Sequence, residues 1–134
     1  MHDLVNNVGV TLGKASGQVT ATGAGTIFDT KGFHSVMFAI QLAAVAAADA
    51  DNTLAFTAEE GDSALGYDFA AVPADRLINA YTLDDTADAA SVKKMGVATG
   101  TKRYMRVKYT ETGTVDATFG VVVVLGNPEE RPVA

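Results

Sequence analysis

His2 and His34 are the only imidazoles among 134 residues, and the chain has no cysteine. No thiol nucleophile, zinc–thiolate site or disulfide framework can be built from such a sequence, and two separated histidines do not make a transition-metal site. His2 lies close to the first residue and His34 opens a strand after Gly32-Phe33, which marks both as surface or strand-end residues. Gly61-Asp62-Ser63-Ala64-Leu65 offers a serine in a turn-like setting, but a serine nucleophile needs a histidine base and none follows His34. Ser63 therefore reads as a turn residue.

Carboxylates gather at Asp49-Asp51, Glu59-Glu60-Asp62 and Asp84-Asp85-Asp88, the hard oxygen donors that calcium prefers. Read as a helix–loop–helix calcium loop, the first group has Leu54 where the tight turn needs glycine, Thr53 at the fifth position and no evident flanking helices. Solvated turns fit all three better. A pair of carboxylates flanking a sugar would also need aromatic platforms, and the chain has no Trp, four Tyr and six Phe. Gly9, Gly13, Gly17, Gly23 and Gly25 match neither a dinucleotide fingerprint nor a phosphate loop. No catalytic set and no cofactor or metal site is expected.

The formal charge of −6 and the pI near 4.7 disfavour nucleic acid, whose phosphates reward clustered Lys and Arg. The main basic group, Lys102-Arg103 with Arg106 and Lys108, is a short row on one strand, suited to a solvated or edge-protecting face or to an acidic partner. No segment approaches the roughly 20 apolar residues of a helical membrane span. The stretch Val36 to Ala48 is too short and too alanine-rich, so no membrane is expected as a partner. Met1-His2-Asp3-Leu4 lacks the basic region and apolar core of a signal peptide, and the expectation is a soluble protein made without an export signal.

What remains to position these residues is an all-β texture, rich in Gly, Thr, Ala and Val. Strands are expected at 18–22, 35–43, 53–59, 67–72, 76–83, 91–97, 101–112 and 115–125, separated by turn-rich pieces. The second of these alternates Val36, Phe38, Ile40 and Leu42 with Ser35, Met37, Ala39 and Gln41, so the first set is core. Residues 43–50 have enough alanine for a short helix, and residues 84–93 suit a helical turn. Leu54 with Phe56, and Leu77 with Tyr81, are further inward pairs. Regular short strands predict one domain, a β-sandwich or jelly-roll-like barrel over residues 17–134, preceded by an extended N-terminal arm over residues 1–16. The Pro-bounded end, Asn127 to Ala134, should terminate the last strand and run over the surface.

The stretch from Thr101 to Leu125 reads as a closing hairpin turning at Glu111-Thr112-Gly113-Thr114. After the turn Val115, Ala117, Phe119, Val121, Val123 and Leu125 line one face, while the opposite face changes from Asp116, Thr118 and Gly120 to Val122 and Val124. A strand apolar on both sides is covered on both sides, by its own fold or by a partner.

Leu54-Ala55-Phe56-Thr57 leading to Glu59-Glu60-Gly61-Asp62-Ser63, the strand from Tyr67 to Val72, Lys102-Arg103-Tyr104-Met105-Arg106-Val107 and a last strand closing on Val-Leu-Gly-Asn-Pro together resemble capsid decoration, or cement, proteins of tailed bacteriophages. The resemblance covers roughly residues 50–130, is best at Arg103-Tyr104-Met105-Arg106 and leaves residues 1–16 uncovered. It implies a sandwich on the outer surface of a virion head, made in the host cytoplasm, trimeric, and bound to the major capsid protein, with an arm able to pair with that protein's strands. On that reading Leu4, Val5, Val8 and Val10 are arm contacts with the capsid, and Val122 and Val124 are a subunit contact. Another virion component, such as a tail-tube or head-completion protein, or a carbohydrate- or host-surface-binding module are the alternatives. An enzyme is not expected.

Overall fold

A computed structural model describes residues 4–98 and 102–129. Six long strands carry the fold, most of them alternating buried and outward residues: β1 (Gly9–Val19), β4 (Phe33–Ala47), β5 (Thr53–Gly61), β9 (Ser91–Ala98), β10 (Tyr104–Thr112) and β11 (Asp116–Pro128). Between them lie the two-residue strands β2 (Gly23–Ala24), β3 (Phe28–Asp29), β6 (Ala70–Ala71), β7 (Leu77–Ile78) and β8 (Thr82–Leu83). Two single 3-10 turns occupy Ala74–Arg76 and Thr86–Asp88, the second capped by the Asp85 carboxylate, which accepts from the amide of Ala87.

The strands form two antiparallel sheets, one ordered β1-β11-β4-β9-β7, the other β2-β10-β5-β6 with β3 also on β10 and β8 also on β5. If β2 with β3, and β6 with β8, are taken as two interrupted strands, the ladders pair first with last, second with seventh, third with sixth and fourth with fifth of eight. That is one long antiparallel ribbon rolled upon itself, the topology of a jelly roll. The predicted all-β sandwich is the architecture observed.

The closing hairpin is not formed. β10 pairs with β5 in one sheet and β11 with β4 and β1 in the other, so the chain at Gly113 crosses between sheets. Gly113 has φ +74°, and the side chain of Asn52 accepts from the amide of Thr114, holding the crossing. The inward face of β11 is nevertheless as expected, with Ala117 through Leu125 buried at alternate positions, and Met105, Val107 and Tyr109 of β10 are buried opposite it. Aromatic rings knit the layers. Phe119 lies edge-on to Phe56 and Tyr109, with centroids 5.2 and 5.4 Å away, and Phe28 meets Phe38 at 5.8 Å.

Three other expectations change. The alanine-rich residues 43–47 continue β4, because β11 pairs along them as far as Ala47 and a partner strand outweighs alanine's helix preference. Within 67–72 and 76–83 only two-residue strands form. The extended arm is replaced over its described part: residues 4–8 make a turn, in which Asn7 and Val8 donate to the Leu4 carbonyl, and residues 9–16 belong to β1, paired with β11. Scattered glycines hid that strand; Gly13 occupies a β-bulge where any side chain would press on Val121 and Val123.

Candidate interaction surface

The outer face of the five-stranded sheet is where the apolar pattern is left over. Cross-strand pairing aligns Val10, Val124, Met37, Gly96 and Ile78 in one row that crosses all five strands. The adjacent row is Leu12, Val122, Ala39 and Lys94, followed by Gly120, Gln41 and Val92. Val10 is 67% exposed, Leu12 51%, Val122 43%, Ile78 58% and Val92 60%. Isolated exposed apolar residues are ordinary, but a contiguous strip across a whole sheet marks a contact surface. Lys94 is the one charged residue in these rows.

The opposite outer face, on the other sheet, is polar and internally neutralised. Arg106 pairs with Glu59 across the strands at 2.8 Å, while Glu60, on the inward phase of β5, is gripped by Arg76 through two bonds of 2.6 and 3.0 Å, and Arg76 also donates to the Ala98 carbonyl of the other sheet. Lys102 meets Asp62 and Arg103 meets Asp29, both at 2.7 Å. The basic row of β10 is thus mostly spent on neighbouring carboxylates, as is the acidic run Glu59-Glu60-Asp62. The guanidinium of Arg103 and the amide of Lys31 hold the Asp29 carboxyl below its ordinary range.

The other candidate chemistry resolves into turns. Asp49 accepts from Asp51 and Asn52, and amide bonds hold its carboxyl low. Asp68 accepts from the amides of Asp62 and Ser63, which also depress its carboxyl, and the Ser63 hydroxyl accepts from Leu65. His34 lies 3.5 Å from Glu129, both exposed. Asp88 accepts from the Tyr81 hydroxyl at 2.6 Å; burial, then that bond, pushes the Tyr81 phenol well above its ordinary value. Among the described residues no three His, Cys, Asp or Glu side chains converge as a metal site would require.

The residues assigned to capsid and subunit contact prove to be neighbours. Val10 stands directly opposite Val124, and Val122 opposite Leu12, so Val10 of the first group shares one surface with Val122 and Val124. Leu4 (65% exposed) and Val5 (84%) sit in the turn just before β1, and Val8 is half-buried at its start. Met37 belongs to the surface and was legible as the outward phase of an alternating strand, whereas Leu12 was not, because residues 1–16 read as an arm rather than a strand. Ile78 carried no signal, because only its pairing with Gly96 brings it into the row.

No protein-family model and no curated protein matches the sequence. Among solved structures, the chain is similar to the structure of the infectious bursal disease virus Gx strain, with a TM-score of 0.42 and 12% identity over 93% of this chain and 33% of that one. It is also similar to the infectious bursal disease virus VP2 subviral particle, with a TM-score of 0.29 and 10% identity over 90% of this chain and 42% of that one. This chain spans less than half of either neighbour, and the functional reading rests on its own surface.

Proposed function

We propose that the protein is a virion structural component, a head-decoration protein that binds the outer surface of a major capsid protein lattice and stabilises it. The observation that carries this reading is the uncovered apolar row Val10, Val124, Met37, Gly96 and Ile78, which runs the full width of one sheet. Such a surface does its work by being buried. Exposed Leu4 and Val5, with the open edge of β1, are the contacts for the capsid; Val122 and Val124 are the contact between copies, in a trimer. A subunit that binds only the assembled lattice stabilises it by mass action, and several linked copies raise the effect through effective concentration. A net charge of −6 suits an outer surface better than one lying against packaged DNA.

The test is to mix the purified protein with cognate empty expanded heads and follow cosedimentation and particle melting. Saturable binding with a raised melting temperature is expected. Heads that neither bind the protein nor melt later would overturn the decoration reading, and binding to a glycan panel instead would favour the recognition module.

A further inference from the structure

The loop between β5 and β6 is the second place where large apolar side chains stand in water, with Leu65 70% and Tyr67 85% exposed. It is a built loop. Asp68 binds the amides of Asp62 and Ser63, Ser63 binds the amides of Leu65 and Gly66, and Gly66 turns at φ +81°. Phe69 is held under the Arg106 guanidinium at 4.9 Å, which anchors the loop on the outer face of the six-stranded sheet. Leu65 and Tyr67 are therefore presented in a fixed geometry, as a preorganised anchor would be.

We infer that copies of this chain associate front to back, the Leu65–Tyr67 loop of one copy seating on the Val122 face of the next. Knob and face lie on opposite sides of the sandwich, so one copy cannot bring its own two together. The charges agree: Arg106 beside the loop is paired with Glu59, the loop itself carries Asp62 and Asp68 against the single ammonium of Lys102, and the face carries Lys94, which has no ion pair among the described residues. A face-to-face pair would instead place Lys94 against a surface whose rows contain no carboxylate, and would leave Tyr67 in water. A contact of this front-to-back kind is heterologous and forms a ring when its rotation closes. The inference names the partner of the face proposed above. It is tested without heads, so failure to bind a capsid and failure to self-associate are separate results.

The experiment is sedimentation velocity with native mass measurement on wild type, L65S/Y67S and V122K, alone and mixed, each checked for folding by its melting curve. Wild type is expected to self-associate, and each variant alone to associate about a hundredfold more weakly. The mixture is expected to recover a 1:1 dimer, because L65S/Y67S keeps an intact face and V122K an intact knob. A wild type that stays monomeric, an L65S/Y67S variant that associates like wild type, or a mixture of folded variants that stays monomeric would each overturn the inference. If V122K unfolds, V122S takes its place.

Discussion

Phe119 is the residue on which both sheets converge, touching Phe56 and Tyr109 edge-on, with the Lys14 ammonium 4.6 Å from its ring. Truncating it to alanine should cost about 3–5 kcal/mol in urea unfolding, the range for a large buried aromatic; a loss below about 1 kcal/mol would contradict the packing described. Breaking the Arg76–Glu60 pair by R76A leaves Glu60 partly buried without its cation, and about 1–3 kcal/mol should be lost. The depressed carboxyls of Asp29, Asp49 and Asp68 set a pH response. Asp29 and Asp68 are held below the ordinary 3.8, so the stability they contribute is present above that value and is lost as the pH falls through their depressed values. Protection of the amides in residues 62–69, relative to their intrinsic exchange rates, should therefore fall below about pH 3.8, and D68N should show the lower protection already at pH 6. The inward residues of β4 and β11 were readable from alternation alone. Lys14 was not: its ammonium donates to the Phe119 carbonyl, a position created by the bulge in β1 that no spacing announces.

At the scale of elements, β1 decides how the N-terminus behaves. Removing residues 1–8 should leave melting nearly unchanged, whereas removing residues 1–12 strips four ladder positions from β11 and should lower the melting temperature by several degrees. Equal stability of the two truncations would restore the free arm. Gly25 offers a sharper probe, because a methyl group there would overlap the Gly13 carbonyl oxygen and press on Val107, while Gly17 faces open space. G25A should cost about 1–3 kcal/mol and G17A little. Strand positions 35–43, 53–59 and 91–97 were legible because each keeps period two over several residues. The hairpin between β10 and β11 was misread for a physical reason: a short turn serves equally to return a strand to its own sheet or to carry it to the facing one, and the choice is made by β4 and β5, which lie far away in sequence.

Over the whole molecule, one sheet is polar outside and most of its charges are neutralised, while the other is apolar outside and uncovered. The sequence hinted at this through Val122 and Val124, whose partner it could not name, since the rest of the surface comes from residues on other strands, 26 to 114 positions away along the chain. Placing a charge on that surface should be nearly neutral for the fold and damaging for assembly, because Val122 is 43% exposed. The most direct test is cosedimentation of wild type and V122K with empty expanded heads. Wild type should bind to saturation and raise the melting temperature of the particle, and V122K, folded and melting close to wild type but with the contact between copies broken, should lose the gain from linked copies, bind far more weakly and give little protection. Undiminished binding and protection by V122K would contradict the claim that this protein acts through the apolar face of its five-stranded sheet.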